Sequence, residues 1–235
     1  MSISGGSVKQ KNPAGKFLEW NGDKGVFYYY DKEKKEKVDM PSKFQVIGLD
    51  ELSTIKGWDE RASSGIYSNE VRDLVSDELT VKNFNNDLIR QGVYGEIKDA
   101  IKSSGGKFCK SVYATLVSKG NSVELINLSL RGSALSAWID AGIDVSKGLV
   151  ITCGTNPEEK KKGKTTYYEP TFTTKLLPEG EVRDTVVQLD RDVLQPYLAQ
   201  YFKGTAPVAA NKEKPSEAFL AAASTTDDES DDLPF

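Results

Sequence analysis

The chain has 235 residues, a formal net charge of −4 and no histidine. Such a length holds one large domain or two small ones, and the missing histidine excludes His-based triads, His general bases and the commonest zinc and iron ligand sets. The charge is uneven: Lys212 and Lys214 face Glu213, Glu217, Asp227, Asp228, Glu229, Asp231 and Asp232, so residues 204–235 carry −5 and residues 1–203 carry +1.

Residues 1–15, rich in Gly, Ser, Lys and Asn, read as a flexible arm. They lack the basic and apolar regions of a signal peptide. No stretch approaches the roughly 20 apolar residues a membrane span needs. The expectation is a soluble, cytoplasmic protein with no membrane partner. Residues 16–20 open the structured part, followed by the turn pair Asn21-Gly22. Residues 26–30, Val-Phe-Tyr-Tyr-Tyr, are strongly β-prone, and 31–37 form a charged turn into a strand through Phe44 and Ile47. Residues 49–64 read as irregular, and 66–71 and 78–84 as two short strands.

Val93, Ile97, Ala100 and Ile101 fall on one stripe, which predicts a helix over 93–102 ended by Gly105-Gly106. Residues 107–118 and 122–131 read as a hairpin turning at 119–121. A second helix over 134–141 turns Leu135, Trp138 and Ile139 inward. Another hairpin, 149–154 with 165–177, encloses the basic loop 158–164. A last helix over 190–203 begins or kinks near Pro196. Cys109 and Cys153 are too far apart for a CxxC site and are expected as reduced thiols on strands. Residues 204–235 turn to Ala, Pro, Ser, Lys and acid, the composition of a disordered linker and tail.

The predicted fold class is mainly β with short helices (α+β). The arrangement is an OB-fold-like five-stranded barrel with inserted elements over residues 16–203, plus a disordered acidic C-terminal tail. The helix over 93–102 would plug the barrel. Another antiparallel α+β sheet is the rival arrangement.

Unpaired nucleic acid is held by rings on which bases stack and by cations that follow the phosphates. Strand alternation sorts the candidates. It puts Phe27 and Tyr29 inward and leaves Tyr28 and Tyr30 outward beside Lys32, Lys35 and Lys37. It buries Phe108, Val112, Ala114 and Leu116 and turns Lys107 and Tyr113 out. Tyr167 and Lys175 share a face, Trp20 and Trp58 sit beside glycines, and Arg72 and Lys110 add charge. The candidate single-stranded-DNA contacts are thus Trp20, Tyr28, Tyr30, Lys35, Lys37, Trp58, Arg72, Lys107, Lys110, Tyr113, Tyr167 and Lys175. For each ring the competing reading is core packing, and for each lysine a solvated turn.

The last residues are the most telling: Asp227-Asp228-Glu229-Ser230-Asp231-Asp232-Leu233-Pro234-Phe235. An apolar tip behind an acidic run suits capture by another protein. A basic pocket would hold Asp231, Asp232 and the terminal carboxylate, an apolar slot would take the Phe235 ring, and Pro234 limits the ordering entropy. The competing reading is a merely solubilising acidic tail. This ending resembles the tip of bacterial single-stranded DNA-binding proteins. The body is similar to bacteriophage-type single-stranded DNA-binding proteins through Gly65-Ile-Tyr-Ser-Asn-Glu-Val-Arg72, Gly105-Gly-Lys-Phe-Cys-Lys-Ser111 and Gly132-Ser-Ala-Leu-Ser-Ala-Trp138. It does not follow the bacterial barrel sequence, so bacterial tetramerisation is not carried over.

The resemblance implies a protein that coats and protects single-stranded DNA in replication, recombination or repair. Its tail would recruit polymerase, primase, helicase or nuclease partners in a host cytoplasm. No cofactor, metal or catalytic residue is expected. A recombination mediator or replication adaptor that binds mainly protein is the alternative. A magnesium-dependent nuclease would need Asp50, Glu51, Asp59, Glu60, Glu70 and Asp73 to converge, and their spacing matches no known motif.

Overall fold

The computed structural model describes residues 11–118, 122–156 and 158–204. The first part of the predicted arm (1–10), the predicted turn 119–121 and the tail 205–235, with Asp231, Asp232, Leu233, Pro234 and Phe235, lie outside the described residues. The protein is of the α+β class, with one large sheet and a few short helices.

The N-terminal half supplies β1 (Lys16–Asn21), β2 (Val26–Asp31), β3 (Glu36–Asp39), β4 (Phe44–Asp59), β5 (Ser64–Ser68), β6 (Glu78–Asn83) and β7 (Leu88–Val93). Helix α1 (Tyr94–Ser103) leads into β8 (Gly106–Val117) and β9 (Val123–Leu130), and then α2 (Gly132–Asp140). The chain continues through β10 (Leu149–Thr155), the small hairpin β11 (Lys160–Lys162) with β12 (Thr165–Tyr167), and β13 (Pro170–Leu176). It closes with α3 (Glu181–Leu189), a π-turn (Asp190–Leu194) and α4 (Gln195–Gly204).

The sheet is larger than a five-stranded barrel and is not closed. Its path runs β3-β2-β1-β9-β8-β4-β5-β6-β7, with β10 on the free edge of the first part of β4 and β13 outside β10. All pairings are antiparallel except β1 with β9. The ends of the curl approach without a ladder: Phe27 meets Phe172 with ring centroids 6.1 Å apart, and Tyr168 N–H donates to Gly22 O at 2.8 Å.

Residues 49–59 are not irregular but most of one 16-residue strand. The sequence hides this because the ladder with β8 slips between Gly48 and Asp50. A bulge reverses the in–out parity, so Val46 and Ile55 reach the same core although they are an odd number of residues apart. Gly48 permits the bend: a Cβ there would stand 2.8 Å from Val145 Cγ1. Sequence periodicity also misses α3, which continues through the π-turn into α4. Gln195 N–H donates to Asp190 O, an i→i−5 bond. The wider turn absorbs Pro196, which has no N–H to donate.

The two faces of the sheet are treated differently. One carries the main core, with Leu18, Phe27, Ile55, Phe108, Val112, Ile126, Leu128 and Phe172, and is covered by α1 through Ile97 and Ile101 and by α2 through Leu135 and Trp138. α1 therefore covers an open sheet rather than plugging a barrel. Among the described residues, the second face is covered only in part. Leu194, Tyr197 and Leu198 pack on Leu52, Tyr113 and Leu125, and Val186 of α3 packs on Ile47 and Val150. Ala14 is buried in the α4 cluster and Gly15 N–H donates to Leu125 O at 2.8 Å, so the end of the N-terminal arm is part of the body. Cys109 and Cys153 are both buried free thiols on strands. No helix among the described residues is long and apolar enough to cross a membrane.

Candidate nucleic-acid interface

Residues opposite each other in a ladder share a face. On the second face this gives two rows, the first of which ends beneath α4. The first runs Asp39, Tyr28, Glu19, Ser129 and Ser111, from β3 to β8. The second runs Lys107, Lys56, Tyr67 and Lys82, from β8 to β6. Lys56 joins them, because its Nζ donates to Ser129 Oγ at 2.5 Å.

Trp58 extends the second row opposite Gly65. Phe84 lies over that glycine, since a Cβ on Gly65 would come within 2.3 Å of its ring. The Phe84 and Tyr67 centroids are 5.8 Å apart. Tyr67 O–H donates to Asn86 Oδ1 at 3.4 Å, and Lys82 Nζ reaches the same oxygen at 3.4 Å. Burial pushes the Tyr67 phenol above its ordinary value. Three half-buried rings, Trp58, Tyr67 and Phe84, thus sit among Lys56, Lys82 and Lys107.

At the other end, Tyr30 is half-buried opposite the exposed Lys37. Tyr28 is buried, contrary to expectation, at 3% exposure. It does point to the second face, but its hydroxyl donates to Glu19 Oε2 at 3.1 Å and Lys37 Nζ stands 5.0 Å from its ring centroid. Lys35 is at the tip of the β2–β3 turn, exposed and with φ of 55°. The sequence reading missed Lys56, Tyr67, Lys82, Phe84 and Arg131. Period-two alternation of Lys56 with Trp58 points to the first of these, once 49–59 is known to be a strand.

The remaining predicted contacts do not join this surface. Tyr113 alternates outward as expected but is fully buried, because α4 lies over it. Its hydroxyl donates to Glu70 Oε2 at 2.9 Å, and its ring is 6.3 Å from that of Tyr197. Trp20 faces the core, edge-on to Phe27 at 4.9 Å, with Nε1 donating to Tyr168 O at 3.1 Å. Lys110 is on the core face, paired with Glu51 Oε1 at 2.7 Å. Arg72 grips both Asp50 oxygens at 2.9 and 2.8 Å and lies 5.1 Å from the Phe202 ring, which pins the end of α4. Tyr167 belongs to the separate hairpin opposite Lys160. Lys175 is exposed on β13 opposite Val150, on the α3 side, and does not share a strand with Tyr167.

Beneath α4 lies a polar network. Glu70 accepts from Ser111 Oγ and Tyr113, Asn127 Nδ2 donates to Ser111 Oγ at 2.7 Å, and Glu70 N–H donates to Tyr201 Oη at 2.7 Å. Burial pushes the Glu70 carboxyl above the usual carboxylate range, against these hydrogen bonds and the nearby Lys56. The other acidic candidates are dispersed. Glu51 accepts from Trp138 Nε1 at 2.9 Å, Asp59 caps the turn at Arg61 and Ala62, and Asp73 caps the turn at Val75. Among the described residues no three His, Cys, Asp or Glu side chains converge to hold a metal ion.

On this face half-buried rings stand beside lysines. The chain matches no family model, no curated protein and no solved structure.

Proposed function

We propose that this protein binds single-stranded DNA without sequence preference across the uncovered part of its second face. It coats and protects exposed strands in replication, recombination or repair, as phage-type single-stranded DNA-binding proteins do. The observation that carries this reading is the gathering of Tyr30, Trp58, Tyr67 and Phe84 with Lys37, Lys56, Lys82, Lys107 and Arg131 in a body of nearly neutral charge. Base–ring stacking contributes about 1–3 kcal/mol per base and tolerates any sequence. The OB-fold-like interpretation belongs to the same proposal. It rests on the curl from β2 through β1, β9, β8, β4 and β10 to β13, whose ends meet at Phe27 and Phe172.

The acidic segment acts in this reading as both lure and competitor. Its Asp231, Asp232, Leu233, Pro234 and Phe235 recruit replication or recombination proteins, and in the absence of DNA its charge competes for the cationic face. In support, α4 ends where Tyr201 and Phe202 meet Glu70 and Arg72, and Glu70 senses the charge of Lys56.

The deciding experiment titrates the protein with oligo-dT and with duplex of equal length at several salt concentrations, following tryptophan fluorescence. Quenching by oligo-dT that weakens with salt supports the proposal; no response in dilute buffer ends it. Deleting residues 227–235 tightens oligo-dT binding at low salt if the competition operates, and leaves it unchanged or weaker if it does not.

A further inference from the structure

Glu19 is a buried carboxylate, 7% exposed, at the centre of the uncovered face. Burying an ion is costly unless its charge is answered, and here it is answered more than once. Arg131 Nη2 stands 3.5 Å from Oε2, Lys56 Nζ stands 3.9 Å from Oε1, and the Tyr28 hydroxyl donates to Oε2. Lys37 lies over the Tyr28 ring, and Lys24 of the β1–β2 turn lies close enough to act on it. Lys37, Lys56 and Arg131 therefore act on Glu19, Lys24 acts on Lys37, and Asp39 is the other carboxylate in the row. With Glu70, which feels the charge of Lys56, counted as a third carboxylate, the four cations still leave the local balance positive.

The titration of Lys37 agrees, while Arg131 is a charge already answered. Burial pushes the Lys37 ammonium down, Glu19 pulls it back up, and Lys24 and Arg131 push it down further. Burial works against the Arg131 guanidinium too, but Glu19, the Cys109 thiol and the Tyr28 hydroxyl together hold it above its ordinary value. An excess of cations in a half-buried setting gains most from an added anion.

We propose that Lys37, Arg131 and Lys56 form a phosphodiester-binding subsite and that Glu19 is its positioning residue. The inference rests on the single-stranded DNA reading and deepens it. Glu19 and Tyr28 fix the cations on the β1, β2 and β9 side of the face, while Trp58, Tyr67 and Phe84 offer stacking surface on the β4, β5 and β6 side. A strand crossing the sheet would place a phosphate at the first and bases at the second. A carboxylate is an unusual centre for an anion site, and this gives the proposal its sharpest consequence. If Glu19 only subtracts charge, Glu19→Gln tightens DNA binding; if it positions Arg131 and Lys56, the same change weakens it.

The test measures oligo-dT affinity by fluorescence anisotropy from about 50 mM salt upward, for the wild-type chain and for Glu19→Gln, Arg131→Lys and Lys37→Ala. One phosphate contact to a single strand contributes about 0.7 to the salt slope, or roughly eightfold in affinity near 50 mM salt. The expected result is a loss of about that size in Lys37→Ala, with the slope reduced by about 0.7. Arg131→Lys keeps the charge but loses the planar fork, and weakens binding as well. Glu19→Gln weakens it with a shallower slope, a change that a general loss of stability does not produce. Lys37 is exposed, so its variant keeps the test open should Glu19→Gln fail to fold. Wild-type binding that survives unchanged in Lys37→Ala and Arg131→Lys, or that tightens in Glu19→Gln, overturns the subsite alone. No wild-type binding at all overturns the single-stranded DNA reading and the subsite with it.

Discussion

The second face of the sheet is divided into two regions built on the same strands. Under α4, Leu52, Tyr113 and Leu125 are sealed by Leu194, Tyr197 and Leu198. Beyond its reach, β4 and β8 instead present Lys56, Trp58 and Lys107, and β5 and β6 add Tyr67 and Lys82. One strand thus changes chemistry within a few residues, from Leu52 to Lys56. A ring on this face means different things in the two regions: Tyr113 is structural because a helix covers it, and Trp58 is a candidate platform because no helix among the described residues does. Exposure on a strand is set by the layer above it as much as by the strand's own alternation.

This comparison can be broken experimentally. The largest effect is expected in the covered region, where Leu198→Ala removes a fully sealed side chain and costs about 2–5 kcal/mol, read by urea unfolding. If α4 rests only loosely on the sheet, the loss stays below about 1 kcal/mol and the division between the regions fails. In the open region the order of effects reverses. Trp58→Ala weakens oligo-dT binding by about 1–3 kcal/mol and changes stability less. A Trp58→Ala variant that binds normally but unfolds easily would reassign this ring to packing.

The smallest effect is the pH dependence of the covered region. Because the Glu70 carboxyl titrates above its ordinary value in the folded protein, its contribution to stability is fully present below the unfolded value. That contribution is lost as pH rises through the folded one. Glu70→Gln should flatten stability against pH across that window while leaving oligo-dT binding in place. Urea midpoints measured from acid to neutral pH check this, and an unchanged profile means that Glu70 does not control it.

Much of the architecture was legible from local pattern. The stripe of Ile97 and Ile101 marked α1, and alternation through Phe108, Val112, Ala114 and Leu116 marked β8 with its inward face. Of the features that were not legible, three have a clear physical reason. The bulge at Gly48 reverses parity and disguises β4 as irregular chain. The π-turn before Pro196 lets one helical run continue where a proline suggests a start or a kink. The burial of Tyr113 depends on α4, which lies more than 80 residues further along the chain.

By itself the sequence determined the class of the fold, the approximate bounds of β1, β2, β6, β8, β9, β10, α1 and α2, the absence of histidine and the division of charge between body and acidic end. These follow from short-range rules: side-chain period, turn residues and composition act within a few positions. Only the tertiary structure decided which rings and lysines stand together. It drew Lys56, Tyr67, Lys82 and Arg131 to one surface, set Glu19 among cations and sent Trp20, Lys110 and Tyr113 elsewhere. The reason is that strand order and helix coverage are settled by long-range burial, to which no local pattern has access.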